Sequence, residues 1–288
     1  MLLKEARAAA AAFEVRTLLA DALANPKVAK SADVAGVLTA PLHLAPAASS
    51  GVMNVCPFAG ACEAPCLDGS GNPAYAAGKQ RARINRTRFY KAARGAFMVM
   101  LVAELAAHIA AARRANMEPA ARLNATSDIL WERIPVTVGA DLSAHIARHY
   151  GQTIAAGDYA NIMGVFPALR FYDYTKIPPR HRAGRLPANY TLTYSYDPAN
   201  DPADLRAALA LGWNVAAPFQ VKRGKALPAR YTIAGADVPV IDGDVHDYRP
   251  ADPSGVIVGL RFKRITDKAR AARLGAAAST GAGFALPV

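Results

Sequence analysis

Six apolar runs of strand length, each of the first five ending in polar or charged residues, constrain this chain more than any other feature. Ala121-Arg-Leu runs into Asn124-Ala-Thr-Ser-Asp128, and Leu169-Arg-Phe-Tyr into Asp173-Tyr-Thr-Lys176. Tyr190-Thr-Leu-Thr-Tyr-Ser-Tyr leads to Asp197, Trp213-Asn-Val-Ala-Ala-Pro-Phe to Gln220, and Val238-Pro-Val-Ile to Asp242-Gly-Asp-Val-His-Asp247. Val256-Ile-Val-Gly-Leu begins a last strand. Strands spaced by helical segments pair in parallel, because a parallel connection must cross back over the sheet. Polar groups at successive C-terminal ends mark the working face of such a sheet. The expected fold is therefore α/β: a full or partial (β/α) barrel with mostly parallel strands and an N-terminal helical extension. No helical pattern fills the stretch from Phe219 to Val238, so the repeat breaks late.

This pattern divides the 288 residues into a helical extension over 1–33, a barrel-like domain over 34–266 and a flexible, basic, Ala- and Gly-rich tail over 267–288. An alanine-rich amphipathic helix is expected over 4–24, stopped by Asn25-Pro26. Gly51-Val-Met-Asn-Val55 reads as a buried strand feeding the next segment.

That segment, Cys56 to Cys66, holds all three cysteines, with five residues between the first pair and three between the second. An odd number leaves a disulfide framework incomplete, and one bridge could do little for a chain of this size. Three thiolates in one Pro-, Gly- and Ala-rich loop suit a metal centre at Cys56, Cys62 and Cys66. A 4Fe–4S cluster on three cysteines leaves one iron open, whereas zinc would need a fourth ligand from His43, His246 or a carboxylate. Reduced, inert thiols are the third reading. Clustered cysteines without an N-terminal apolar run fit a reducing cytoplasm.

The formal charge is +12, from 34 Lys and Arg against 22 Asp and Glu. An anionic substrate or a nucleic acid is the partner such an excess attracts, and a general proteome bias would give the same balance. The basic residues are densest in Gly78 to Arg94, which carries seven and no acidic one. At about 100° per residue, Lys79, Arg83, Arg86 and Arg94 share one helix face suited to phosphate. The helix is expected to continue through Met98 to Arg113 as an apolar wall. Glu104 and His108 argue against a membrane span there.

Several stretches together resemble a group of bacteriophage and prophage proteins of similar length: Thr39-Ala-Pro-Leu-His-Leu-Ala-Pro, Asn54-Val-Cys-Pro through Cys66-Leu, Gln80-Arg-Ala-Arg, Arg122-Leu-Asn-Ala-Thr-Ser-Asp128 with Trp131-Glu132, Phe171-Tyr-Asp-Tyr-Thr-Lys176, Val240-Ile-Asp-Gly-Asp, and Asp252-Pro-Ser-Gly-Val-Ile-Val-Gly-Leu. The resemblance covers most of the chain and implies a bacterial-host cytoplasm. A three-cysteine loop after an early strand also resembles the radical S-adenosylmethionine fold, although the cysteine spacings most often seen there are three and two. That second resemblance implies a cluster whose open iron binds S-adenosylmethionine, with Asn124, Ser127 and Asp128 holding the cofactor. Capping of a following helix would use the same Ser and Asp.

Asp173, Tyr174 and Lys176 set an acid, a phenol and an amine at one strand end, suited to catalysis or to an ordinary turn before Ile177-Pro178-Pro179. Asp244 and His246, with Asp242 and Asp247, form the densest acidic cluster, suited to a hard metal or to base catalysis; an Asp-Gly turn is the alternative. His145 and His149, four apart without the zincin Glu, read as surface histidines. No phosphate-binding glycine loop, dinucleotide fingerprint or serine-nucleophile elbow is present. Two functions fit these residues: an iron–sulfur enzyme acting on a nucleotide or nucleic acid, or a metal-stabilised nucleic-acid-binding protein serving replication.

Overall fold

The structure, a computed structural model, describes residues 1–21, 35–63, 66, 76–182, 186–222, 224–263, 272 and 283–288. The strands are β1 (Val37–Pro41), β2 (Glu118–Arg122), β3 (Val136–Val138), β4 (Gly157–Tyr159), β5 (Arg170–Thr175), β6 (Tyr190–Ser195), β7 (Asn214–Phe219), β8 (Arg230–Ile233), β9 (Ala236–Asp242) and β10 (Ile257–Arg261). The helices are α1 (Leu3–Ala11), α2 (Ala76–Ala92), α3 (Arg94–Arg114), α4 (Ala140–Tyr150), α5 (Ile162–Val165) and α6 (Pro202–Ala210).

Eight strands form one mostly parallel sheet in the order β1-β2-β5-β6-β7-β10-β9-β8, while β3 and β4 pair separately. The edge strands β1 and β8 are not neighbours, so the sheet is open and a full barrel is ruled out. The reason lies in the late break of the repeat: β8 and β9 form an antiparallel hairpin, with Arg230 opposite Pro239, and its outer strand ends the sheet. The six expected strands all appear, as β2, β5, β6, β7, β9 and β10. The strand expected over 51–55 does not; bends and irregular backbone occupy it, and the strand preceding the cysteines is β1.

The chain divides into two compact units. The first comprises Met1–Cys56, Arg81–Asp173 and Arg185–Thr191. Its centre is α3, which is 21 residues long and apolar enough to cross a membrane, contrary to the sequence expectation. Yet 72% of its apolar window is buried inside the protein. Helix α1 and strands β1 and β2 pack on it, so the apolar run serves as a core. An aromatic cluster of Phe89, Tyr90, Phe97 and Trp131 surrounds the break between α2 and α3. The break falls at Ala93, whose backbone is not helical, so the single long helix expected from the sequence is two.

Helix α1 is shorter than expected because tertiary partners claim the backbone groups beyond its end. The chain turns through Glu14 at φ +56°, and the Val15 N–H returns to Ala10 O. The carboxylate of Glu104 in α3 then accepts from the N–H groups of Leu18 and Leu19. Helical backbone would have kept those donors for itself. Burial pushes Glu104 above its ordinary pKa.

The second unit comprises Pro57–Gln80, Tyr174–Gly184 and Leu192–Val288. Its core gathers Tyr194, Val215, Ala217, Phe219, Ile233, Val238 and Ile257 under Leu205 and Ala208 of α6. Strand β7 reads as a continuous apolar run because parallel strands are covered on both faces. Asp201 starts α6 by accepting from Ala203 N–H, with Pro202 in the first turn. The described end of the chain, 283–288, is docked: Leu286 bridges Phe219 and sits in the core. The rest of the tail, Ala272 apart, lies outside the described residues.

Candidate functional site

In the first unit, the loop after β2 is built around Asn124. Its side-chain oxygen accepts from Ser127 Oγ at 2.9 Å, Ile129 N at 2.9 Å and Trp131 Nε1 at 3.0 Å. Its Nδ2 donates to Ile129 O, and its backbone N–H donates to Asp173 Oδ1 at 2.7 Å. Asp173 is 1% exposed and also accepts from Tyr190 Oη. Asn124, Ser127 and Asp173 therefore fix one another and the loop. The resemblance to the radical S-adenosylmethionine fold put Asn124 and Ser127 on a cofactor, and the strand-end position put Asp173 in catalysis; in the structure these hydrogen bonds also hold the shape of the loop.

The same loop is stitched to the residues that lead into the cysteines. Thr126 Oγ1 donates to Leu44 O at 2.6 Å, Asp128 N to Val55 O at 2.8 Å, and Cys56 Sγ lies 3.9 Å from Thr126 O. Cys56 N is held by Asn54 Oδ1, an Asx turn that fixes its backbone. The structure thus brings Cys56 against the Asn124–Asp128 loop.

In the second unit, Lys176 donates to Tyr196 O at 2.9 Å and pairs with Asp197 Oδ2 at 3.4 Å. The two side chains are 10% and 5% exposed, so water screens the pair little. Phe284 lies 5.6 Å from the ammonium. Burial, then Tyr231 and Asp197, raises the pKa of Tyr196. Asp197 also accepts from Ala199 N and meets the cysteine segment: a Cβ on Gly60 would stand 2.9 Å from Asp197 Oδ2. Gly60 has φ +52° and opens the 3-10 turn Gly60–Cys62. Phe58 packs on the His181 ring at 5.9 Å. Asp173 and Lys176, predicted as one group, take different partners: Asp173 accepts from Asn124 N and Tyr190 Oη, and Lys176 donates to Tyr196 O and pairs with Asp197.

All three cysteines are half-exposed thiols outside any disulfide. Soft sulfur donors suit iron–sulfur or zinc chemistry. Among the described residues no three His, Cys, Asp or Glu side chains gather at metal-binding separation, so a metal would have to draw the segment in.

The acidic cluster splits in two. Asp242 and Asp244 accept from Arg261 Nη1 at 2.8 and 3.2 Å, and Arg261 N donates to Asp244. His246 instead joins a buried group: its Nε2 is 3.7 Å from Asp252 Oδ1, and Arg249 pairs with Asp252 at 3.1 Å and donates to His246 O. Burial lifts Asp252 to about 6, against the pull of Arg249, and lowers His246. Asp244 and His246 therefore do not act on one point. Asp197, Gly60, Arg249 and Asp252 received no role of their own from the sequence; the signals were the strand end at Asp197 and the family-like stretches that contain Gly60 and Asp252.

The basic face also differs. Arg86 Nε donates to Thr17 O at 2.9 Å, and burial lowers its pKa while Glu104 raises it. Arg83 is half-buried, Lys79 is exposed in the second unit, and Arg94 is exposed over the Tyr90 ring at 4.9 Å. The cations exposed along α2 in the first unit are Arg81, Arg88 and Lys91. His145 and His149 lie side by side, ring centroids 4.3 Å apart, on α4.

An open, mostly parallel α/β sheet with polar loops at its strand ends, and a thiol-bearing segment beside one of them, defines the class of this protein. The chain belongs to the gene product 88 family, a phage-type family whose model matches residues 13–277. No curated protein and no solved structure matches it.

Proposed function

We propose that the chain is a phage-type iron–sulfur enzyme with a partial (β/α) barrel, working in the cytoplasm of the bacterial host on a nucleotide or nucleic-acid substrate. The observation that carries this reading is the placement of Cys56 against the Asn124–Asp128 loop, through Thr126 O and the Asp128–Val55 hydrogen bond. Cys56, Cys62 and Cys66 would hold a 4Fe–4S cluster, and the Asn124–Asp128 loop would bind S-adenosylmethionine beside it. When bound, such a cluster supplies single electrons at low potential.

The remaining roles belong to the chain's own groups. Asn124 and Ser127 keep the loop in one shape, and Asp128 is the carboxylate this reading assigns to the cofactor's amine or ribose. Lys176 sets its Nζ against Tyr196 O in a nearly dry setting, and Asp197 orients it. Asp197 also seats Gly60, which fixes the start of the turn carrying Cys62.

The test is anaerobic purification followed by iron, sulfide and zinc analysis and an absorption spectrum, on the wild type and on Cys56→Ala/Cys62→Ala/Cys66→Ala. A brown protein with about four irons and four sulfides, lost in the variant, supports the reading. Zinc, or no metal in either protein, overturns it.

A further inference from the structure

Helix α2 has no acidic residue along its 17 positions. Thr87, Phe89 and Tyr90 are buried, and Arg86 reaches back to Thr17 O, so this flank of the helix belongs to the protein. Arg81, Arg88 and Lys91 are exposed. Arg81 and Arg88 are seven residues apart and almost eclipsed at about 100° per residue, and Lys91 lies one turn further along the same side. With a rise of about 1.5 Å per residue the three span about 15 Å. Arg94 follows past the break at Ala93, exposed and laid over Tyr90, and so does not belong to this line.

A solvated helix face ordinarily mixes signs, because like charges a turn or two apart repel. Here no acid on the helix offsets the repulsion, in a protein whose formal charge is already +12. A partner with regularly spaced negative charge relieves it. A nucleic-acid backbone offers one charge per about 3.4 Å of each strand, so a line of about 15 Å faces several phosphates at once. Three exposed side chains in a line along one side of a helix suit contact with a backbone rather than recognition of bases.

We propose that the side of α2 bearing Arg81, Arg88 and Lys91 is a docking surface for a nucleic-acid backbone. This deepens the reading above by choosing the polymer as partner, and it stands or falls without the metal.

The experiment is fluorescence anisotropy with a labelled DNA duplex and with one of its strands alone, between about 50 and 200 mM salt. The proteins are the wild type, Arg81→Gln/Arg88→Gln/Lys91→Gln, and a control of equal charge loss, Arg113→Gln/Arg114→Gln/Arg148→Gln, whose residues are also exposed. All substitutions are at the surface, and thermal midpoints check that each variant folds. The α2 variant is expected to bind at least tenfold more weakly and to lose about 2.7 from the logarithmic salt slope on duplex, or about 2 on the single strand. The control should keep the wild-type slope. Equal losses in both variants would reduce the attraction to net charge and overturn the proposal, as would no binding by the wild type at the lowest salt. Failure of the iron analysis with success here would sink the enzyme reading and leave the surface standing.

Discussion

Gly60 shows how one missing side chain can join two parts of a site. Gly60→Ala meets both a positive φ and the Asp197 carboxylate, whereas Gly51, at φ +73°, has nothing within 4 Å of an added Cβ. Gly51→Ala should therefore cost about 1 kcal/mol in a urea titration, and Gly60→Ala about 1–2 kcal/mol more. In an Asp197→Ala background the excess should vanish; its persistence would disprove the contact. Asn124→Ala leaves Ser127, Ile129 and Trp131 donors without their acceptor, so a loss of about 3 kcal/mol or more is expected. Asp252 carries a pH signature. Its folded pKa of about 6 lies above the ordinary 3.8, so its contribution is complete below about pH 4 and is lost as pH rises through 6. The depression of His246 works the other way, with stability lost as pH falls below its ordinary 6.5. Asp252→Asn removes the first effect and leaves His246 beside an uncharged neighbour. Between pH 4 and 6.5 the wild type should lose about 1–2 kcal/mol relative to the variant, and parallel profiles would refute the assignment.

Elements behave less locally. The segment 283–288 runs alongside the end of β7: Leu286 N donates to Pro218 O at 2.8 Å and Gln220 N to Leu286 O at 2.9 Å. Leu286 is 7% exposed and packs in the core of its unit. Leu286→Ala is expected to cost about 2–4 kcal/mol in denaturant unfolding, and a cost under about 0.5 would mean the segment is not held there. A tail rich in Ala, Gly and Ser carries no periodic signal, so composition alone suggested mobility. The helices show the same competition between local pattern and tertiary contact. The sequence pattern of α1 runs on past Ala11, but the Glu104 carboxylate competes for the next amides and wins. Where α2 meets α3, four aromatic rings pack around a backbone break that no periodicity reveals.

For the whole molecule, the apolar α3 is the feature most easily misread. By length and composition it passes as a membrane span, and only its burial against α1, β1 and β2 assigns it to the core. Expressed in bacteria, the chain should stay in the supernatant after ultracentrifugation; recovery in carbonate-washed membranes would contradict the packing. The sequence by itself determined the class of fold, because apolar strand runs and helical spacers are local patterns that dictate a parallel sheet. It also singled out the cysteines, the strand-end polar residues and a basic α2, since these are matters of residue type and spacing. Only the tertiary structure decided which of those polar groups meet. Asp173 went to Asn124, Lys176 to Asp197, His246 to Asp252 and Arg86 to Thr17. His246 and Asp252 are near neighbours in the chain, whereas the other three pairings join distant positions, and all four depend on register and burial. Buried polar groups need partners, and which group meets which is settled by the folded geometry, whether the partner is near or far along the chain.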